Sequence, residues 1–216
     1  MRILSVNVGL PRDLEWQGKI VRTGFIKEPV NGPVRVVRYQ LEGDGQADLR
    51  VHGGADKAVY AYPGEHYADW QSRLNVDDLP AGAFGENLTT SGFMESEVCI
   101  GDRYAVGSAE LVVTQPRTPC FKLNVRFQRE DMLEMFLNSD TSGIYFTVHK
   151  EGQLAAGDEL RLLERHPDCV TVRDAMRLKM KQIEDADLLE RILSIESLAQ
   201  SWRADFEKRR AKLRGE

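Results

Sequence analysis

The sequence predicts a mainly β fold with added helices: a β-barrel or sandwich with helical insertions, followed by a small three-helix domain. In residues 1–165, short β-rich runs alternate with Gly, Pro and Asp, which is typical of barrels and sandwiches. Two stretches within this region have helical apolar spacing, and after residue 167 the pattern becomes continuously helical. We therefore expect a β domain over residues 1–165 and a three-helix domain over residues 166–216.

The predicted strands are short runs of apolar and β-branched residues bounded by turn signals. Lys19, Arg22 and Lys27, from one early strand region, are expected to face solvent because charged and apolar residues alternate there. The predicted strands cover residues 3–8, 19–26, 34–41, 103–106, 109–113, 144–150 and 159–163.

The predicted helices begin at capping residues or follow a proline stop. Residues 64–74 follow Pro63, and residues 120–137 form one long or two short helices. The tail contains helices over residues 171–180, 185–193 and 197–213, with Thr171, Asp185 and Ser197 as N-caps. Mixed charge in this tail favours a packing or partner-docking domain over a DNA reader.

Composition excludes several classes of protein. No apolar run approaches the roughly 20 residues that span a bilayer, and the N-terminus lacks a signal-peptide core, so we expect a cytoplasmic protein without membrane contact. The net charge of −5 argues against a stable nucleic-acid complex. Cys99, Cys120 and Cys169 form an odd, scattered set that predicts neither a disulfide framework nor a zinc ribbon.

The segment TQPRTPCFKL, residues 114–123, places Cys120 after an apolar strand and before a helical pattern. Thr118 is predicted to be the N-cap, Pro119 the first helical residue and Cys120 the second. A helix start, with Arg117 and Lys122 nearby, would stabilise a thiolate that ligates a metal or attacks an electrophile. The alternative is a small buried apolar cysteine.

Two glycine-rich segments carry further polar groups. In VHGGADKAVYAYP, Gly53 and Gly54 could form an anion-binding nest, Lys57 could reach a phosphate, and His52 could exchange a proton. The alternative is a Gly-Gly turn with solvated charges, because the P-loop and dinucleotide spacings are missing. In GAFGENLTTSG, Asn87 could bind a heterocycle edge or cap a turn.

Four segments, taken together, resemble the MOSC domain, specifically its bacterial YiiM-like branch, and the tail resembles the three-helix "3-alpha" domain that follows MOSC there. The segments are HGGADKAVYAYP, GAFGENLTTSG, GDRYAVGSAELVVTQPRTPCFKL and SGIYFTVHKEGQLAAGDEL. The resemblance implies a MOSC-type β-barrel that binds the molybdenum cofactor, a molybdopterin, with Cys120 as the protein ligand to molybdenum. It also implies reduction of N-hydroxylated compounds such as hydroxylamino purines, a detoxification of N-hydroxylated bases.

An external electron donor of flavin-reductase type is required on this hypothesis, because the chain lacks a ferredoxin-type cysteine set. One alternative is a cofactor-handling or sulfur-carrier module in which Cys120 holds a persulfide, and another is a catalytically silent pterin-binding module. Under the first hypothesis Cys120 is the metal ligand, Lys122 and His52 tune charge or protons, and the cofactor contacts are Lys57, Gly53, Gly54, Asn87, Arg117, Thr118 and Cys120.

Overall fold

The computed structural model describes residues 1–47 and 53–215, and its centre is a closed β-barrel. The main sheet has the strand order β13-β9-β10-β11-β7-β8-β1-β4, with β7 and β8 parallel and the other neighbours antiparallel. The strands are β1 Arg2–Val8, β2 Arg12–Trp16, β3 Lys19–Thr23, β4 Glu28–Pro29, β5 Val34–Val37, β6 Gln40–Leu41, β7 Val59–Pro63, β8 Leu88–Ser91, β9 Arg103–Val106, β10 Ala109–Pro116, β11 Ile144–Lys150, β12 Gly152–Leu154 and β13 Leu160–Glu164.

The barrel closes where the first strand meets the last. Ile3 donates its backbone N–H to Asp158 O at 2.9 Å, and Leu160 donates to Met1 O at 3.1 Å. Closure removes the open sheet edges that would otherwise expose unpaired backbone groups. The predicted barrel with helical insertions is therefore confirmed, and the sandwich alternative is wrong.

The smaller sheets show why some predicted strand limits shift. Strands β2 and β3 form a hairpin through Gln17 and Gly18, both with positive φ, as a tight two-residue turn requires. Strand β3 ends at Thr23, and the run predicted over residues 34–41 divides into β5 and β6. The sequence patterns did not predict β2, β4, β7, β8 and β12. Most of these strands are very short or lack alternating apolar and polar residues.

The helices follow the predicted order. They are α1 Tyr67–Leu74, α2 Lys122–Phe127, α3 Met132–Leu137, α4 Val172–Lys179, α5 Ala186–Ser194 and α6 Gln200–Arg214, with short 3-10 turns at Ala55–Lys57 and Gly64–His66. Thr171 and Asp185 cap α4 and α5 by accepting backbone N–H bonds, as predicted. The N-cap predicted at Ser197 is wrong, because α6 begins at Gln200, whose N–H bonds to Asp56 Oδ2 of the barrel region at 3.1 Å.

One apolar core runs from the barrel into the three helices. Ile3, Val113, Leu189, Trp202 and Phe206 belong to the same buried cluster. Burying this continuous surface holds the helices against the barrel. The predicted domain boundary at residue 165 stays a prediction, since the core is not divided there.

A covalent link crosses the same contact and corrects a prediction. Cys99 and Cys169 form a disulfide between the barrel and the start of the helical segment. Their separation of 70 residues hid this pairing from sequence spacing. Cys120 is the free cysteine.

Candidate functional site

Residues from distant parts of the chain line one open cavity of about 620 Å³, a volume that includes its mouth. Backbone glycines, aromatic rings and charged side chains all contribute to the wall. Six of the residues singled out from the sequence are part of it: Lys57, Asn87, Arg117, Thr118, Cys120 and Lys122.

Cys120 lies in an irregular segment between β10 and α2. The helix begins at Lys122, with Phe121 at the cap position, so the assignments of Thr118 as N-cap and of Pro119 and Cys120 as helical residues are wrong. Cys120 O instead accepts the N–H of Leu123 at 3.0 Å. A six-residue helix that starts after Cys120 gives the sulfur little dipole stabilisation. Positive charge at the half-buried thiol therefore comes from side chains.

Arg117 is the most enclosed of these cations. It is 5% exposed, and its guanidinium lies 4.9 Å from the ring centre of Phe25 and 5.1 Å from that of Tyr60. Burial alone would lower the pKa of Arg117, but Tyr60, Tyr145 and Cys120 outweigh that effect and raise it. Its Nη1 is buried without a hydrogen-bond partner. A buried, always-charged donor without a partner is suited to an anion.

Two lysines add charge to the same wall. Lys122 is 9% exposed, and its ammonium has no hydrogen bond or ion pair within the part of the chain that the structure describes. Burial lowers the pKa of Lys57, and the neighbouring Asp56 opposes this shift. Together with Arg117, these lysines make one side of the cavity strongly cationic.

Asn87 supports the cavity from behind. Its Oδ1 accepts the backbone N–H of Tyr60 at 3.1 Å, and its Nδ2 donates to Asp44 Oδ2 at 2.8 Å and to Asn7 O at 3.3 Å. Every hydrogen-bonding direction of the amide is used within the protein except one acceptor lone pair. The sequence predicted that Asn87 binds a heterocycle edge or caps a turn; in the structure its amide instead joins the segments of Tyr60, Asn7 and Asp44.

Lys27 and Asp44 are cavity residues that sequence reasoning missed. The expectation that Lys27 faces solvent is wrong: its ammonium pairs with Asp44, and their side chains are 7% and 2% exposed. Glu86 is buried nearby, and burial raises its pKa although Tyr67, Gly82 and other donors bond to it. The only sequence signal was the clustering of Gly43, Asp44 and Gly45, which was too weak to interpret alone.

Four predicted residues remain to be assigned: Gly53, Gly54, His52 and Thr118. Gly53 and Gly54 are not among the cavity-lining residues of the described ranges, although Gly54 O accepts the N–H of Lys57 at 3.1 Å. His52 lies outside the described residues. Thr118 is exposed at the cavity edge. The expected glycine nest therefore does not form part of this cavity wall.

A metal here would take few ligands from the protein. Across residues 1–47 and 53–215, no group of three or more His, Cys, Asp and Glu side chains is arranged to hold a metal ion. Cys120 is a single soft ligand beside cationic donors. That combination fits a metal carried by an anionic organic cofactor better than one held by protein ligands alone.

Comparisons with known proteins cover almost the whole chain. Residues 48–161 match the MOSC domain model, and residues 170–213 match the YiiM-like, 3-alpha helix domain model. YflK of Bacillus subtilis (strain 168) is 43% identical over 211 residues, which is 98% of this chain and 95% of YflK. The crystal structure of YiiM from Geobacillus stearothermophilus superposes with a TM-score of 0.82 and 36% identity, covering 97% of this chain and 99% of that one.

A third relative carries an activity in its name. A Gibberella moniliformis (strain M3125 / FGSC 7600) protein named "Reductase" is 37% identical over 166 residues, which is 76% of this chain and 29% of that protein. The likeness therefore covers less than a third of a longer protein. In the described part of this chain, no helix has the length and apolar character that crossing a membrane requires.

Proposed function

Because this chain belongs to the MOSC domain family, with a YiiM-like three-helix domain, we propose that it is a molybdenum-cofactor-dependent oxidoreductase that reduces N-hydroxylated compounds. The family and a relative named "Reductase" support an oxidoreductase role. The single observation that carries the proposal is that the free cysteine Cys120 and Arg117, whose buried Nη1 has no hydrogen-bond partner, line the same open cavity.

The residues present fit such a cofactor. Cys120 offers a soft thiolate ligand, while Arg117 and Lys122 offer donors for the anionic phosphate of a molybdopterin. Lys57, at the same wall, adds charge, and Thr118 adds a hydroxyl at the edge. When bound, the cofactor would supply two-electron redox chemistry next to the thiol.

The rest of the cavity suits a small planar substrate. Phe25, Tyr60 and Tyr145 give aromatic surface, and the ring centres of Tyr60 and Tyr145 lie 5.0 Å apart. Aromatic walls with a few polar groups suit flat heterocycles such as hydroxylamino purines. Reduction converts R–NH–OH to R–NH₂ and water with two electrons and two protons.

The electrons require a partner protein, which we place on the basic face of the three-helix domain. This basic face consists of Lys179, Lys181, Lys208, Arg209 and Lys212, with Asp205 as its acidic member. Met180, between two of these lysines, lines a cleft of about 310 Å³ with Pro119, the residue before Cys120. An acidic electron donor of flavin-reductase type would therefore be attracted close to the cavity.

The proposal is tested on protein purified from a molybdopterin-competent host. The wild type should contain molybdenum and reduce 6-hydroxylaminopurine with a reduced dye as electron source, whereas Cys120→Ser should lose both. Molybdenum no higher than in Cys120→Ser would overturn the proposal. An added mass of 32 Da on Cys120 after incubation with a desulfurase would favour the persulfide carrier instead, whereas pterin binding without dye oxidation would favour the silent module.

A further inference from the structure

The cavity wall contains a buried ion pair between Lys27 and Asp44. Lys27 Nζ contacts Asp44 Oδ1 from a neighbouring loop, and both residues line the cavity with Cys120. Burying two charges costs hydration that their attraction barely repays, so such a pair is weak support for the fold by itself. This ion pair in the cavity lining is therefore a candidate for a chemical role.

The pair is held in place by contacts from other segments. Asp44 accepts the backbone N–H of Gly9 at 3.0 Å and the amide of Asn87 at 2.8 Å. At position 9 a Cβ would lie 2.1 Å from Ile26 O, so only glycine lets the strand β1 end approach the segment that carries Lys27. These contacts hold the irregular segment of Lys27 against the end of β1 and hold Asp44 beside it.

The surroundings of Lys27 leave its proton available. Burial lowers the pKa of Lys27, and the carboxylates of Asp44 and Glu86 oppose this shift. The other cations that line the cavity are Arg117, Lys57 and Lys122. A lysine in this environment gives up a proton more readily than a solvated lysine does.

We propose that Lys27 is the general acid of the N-hydroxy reduction, an inference that rests on the proposed function. The N–O bond breaks as two electrons arrive from the external donor, and Lys27 gives its proton to the oxygen, which leaves as water. A second proton from solvent completes the N–H bond. The neutral amine of Lys27 then takes a proton from solvent through the open mouth of the cavity.

The other groups at the wall have different parts in this step. Arg117 does not release a proton in the working pH range. Asp44, which contacts the Lys27 ammonium, acts as a positioning residue for Lys27. Asn87 affects Lys27 only indirectly, because its amide donates a hydrogen bond to Asp44.

Lys27→Arg is the sharpest test, because arginine keeps the charge and the pairing with Asp44 but cannot donate the proton. We expect kcat for 6-hydroxylaminopurine at neutral pH to fall by about 100-fold or more, with molybdenum content and KM within about threefold of wild type. The matched control is Lys19→Arg, an exposed lysine outside the cavity, which should retain wild-type kcat.

Two further measurements separate proton donation from structural support. In the wild type, kcat should fall as the pH rises through the lowered pKa of Lys27, and this alkaline decline should be absent in Lys27→Arg. In ¹³C-lysine-labelled protein, the Cε resonance of Lys27 is identified as the one that is absent from the spectrum of Lys27→Arg. Its pH titration in the wild type should give a pKa below the ordinary lysine range.

Three outcomes would overturn the inference: a Lys27→Arg enzyme with at least half the wild-type kcat, an unchanged pH profile, or a Lys27 resonance that titrates like a solvated lysine. Any of these with an active wild type leaves the proposed function standing. A molybdenum-loaded wild type that reduces no N-hydroxylated compound overturns both.

Discussion

The guanidinium carbon of Arg117 lies 5.1 Å from the ring centre of Tyr60. The ring of Tyr60 is held by a hydrogen bond from its Oη to Ser142 O at 3.1 Å. The ring also packs so closely on the backbone at position 143 that a Cβ there would lie 2.5 Å from a ring carbon. Gly143, with φ of +67°, is therefore required next to the ring. This packing holds the guanidinium of Arg117, whose Nη1 is buried without a hydrogen-bond partner.

Replacing Arg117 with lysine should weaken retention of the cofactor. Lysine keeps one positive charge but loses the planar, stacked set of donors that can bind a phosphate through two hydrogen bonds. We expect the molybdenum content of Arg117→Lys to fall by about tenfold or more, measured by elemental analysis of purified protein. Arg22→Lys, at an exposed residue, is the matched control. Equal molybdenum content in Arg117→Lys and wild type would show that Arg117 does not hold the cofactor.

Truncating Asn87 should destabilise the whole protein rather than only weaken binding. Asn87→Ala leaves the N–H of Tyr60 and one oxygen of Asp44 without their buried partner. The free energy of unfolding, measured with urea, should fall by about 2–4 kcal/mol, against less than about 0.5 kcal/mol for the exposed control Asn31→Ala. A loss below about 1 kcal/mol would contradict the supporting role assigned to Asn87.

Reducing the disulfide should loosen the attachment of the three-helix domain. The link between Cys99 and Cys169 closes a long loop, for which chain entropy allows up to about 4 kcal/mol of stabilisation. We expect Cys169→Ser and reduced wild type to unfold at similar, lower urea concentrations than oxidised wild type. The state of the disulfide is checked by intact mass, because the oxidised protein is two hydrogen atoms lighter than the reduced protein. Identical unfolding of the oxidised and reduced proteins would show that the noncovalent core alone holds the helices.

Reversing charge on the basic face should weaken electron delivery without affecting the cavity. Lys208→Glu combined with Lys212→Glu removes two exposed cations from α6. Turnover supported by an acidic flavoprotein donor should show a KM for that donor raised about tenfold or more at low salt, with less difference at high salt.

Turnover with a small reduced dye should stay unchanged in this double variant, because a dye does not need the docking surface. Lys150→Glu, an exposed lysine at the end of β11, provides the charge-matched control. Weaker turnover with both the protein donor and the dye would point to damage within the cavity. An unchanged KM for the protein donor would exclude the basic face as its docking site.

Local patterns predicted the elements well where a residue's environment depends on its near neighbours. Thr171 and Asp185 cap helices because a side-chain oxygen and an N–H three residues later are close in any such turn. The same rule failed at Thr118 and Ser197. There the chain follows tertiary contacts, and at Ser197 the barrel residue Asp56 satisfies the donor at the helix start.

The sequence by itself determined the barrel-plus-helices fold and the family, because these are recorded in periodicity and in contiguous motifs, one of which singled out Cys120 as a candidate. Only the tertiary structure decided that Lys27 and Asp44 are buried together, that Asn87 supports the wall and that Cys99 meets Cys169. The burial of a charge or a thiol depends on partners brought from distant segments, and the hydration lost there is recovered only in the folded arrangement.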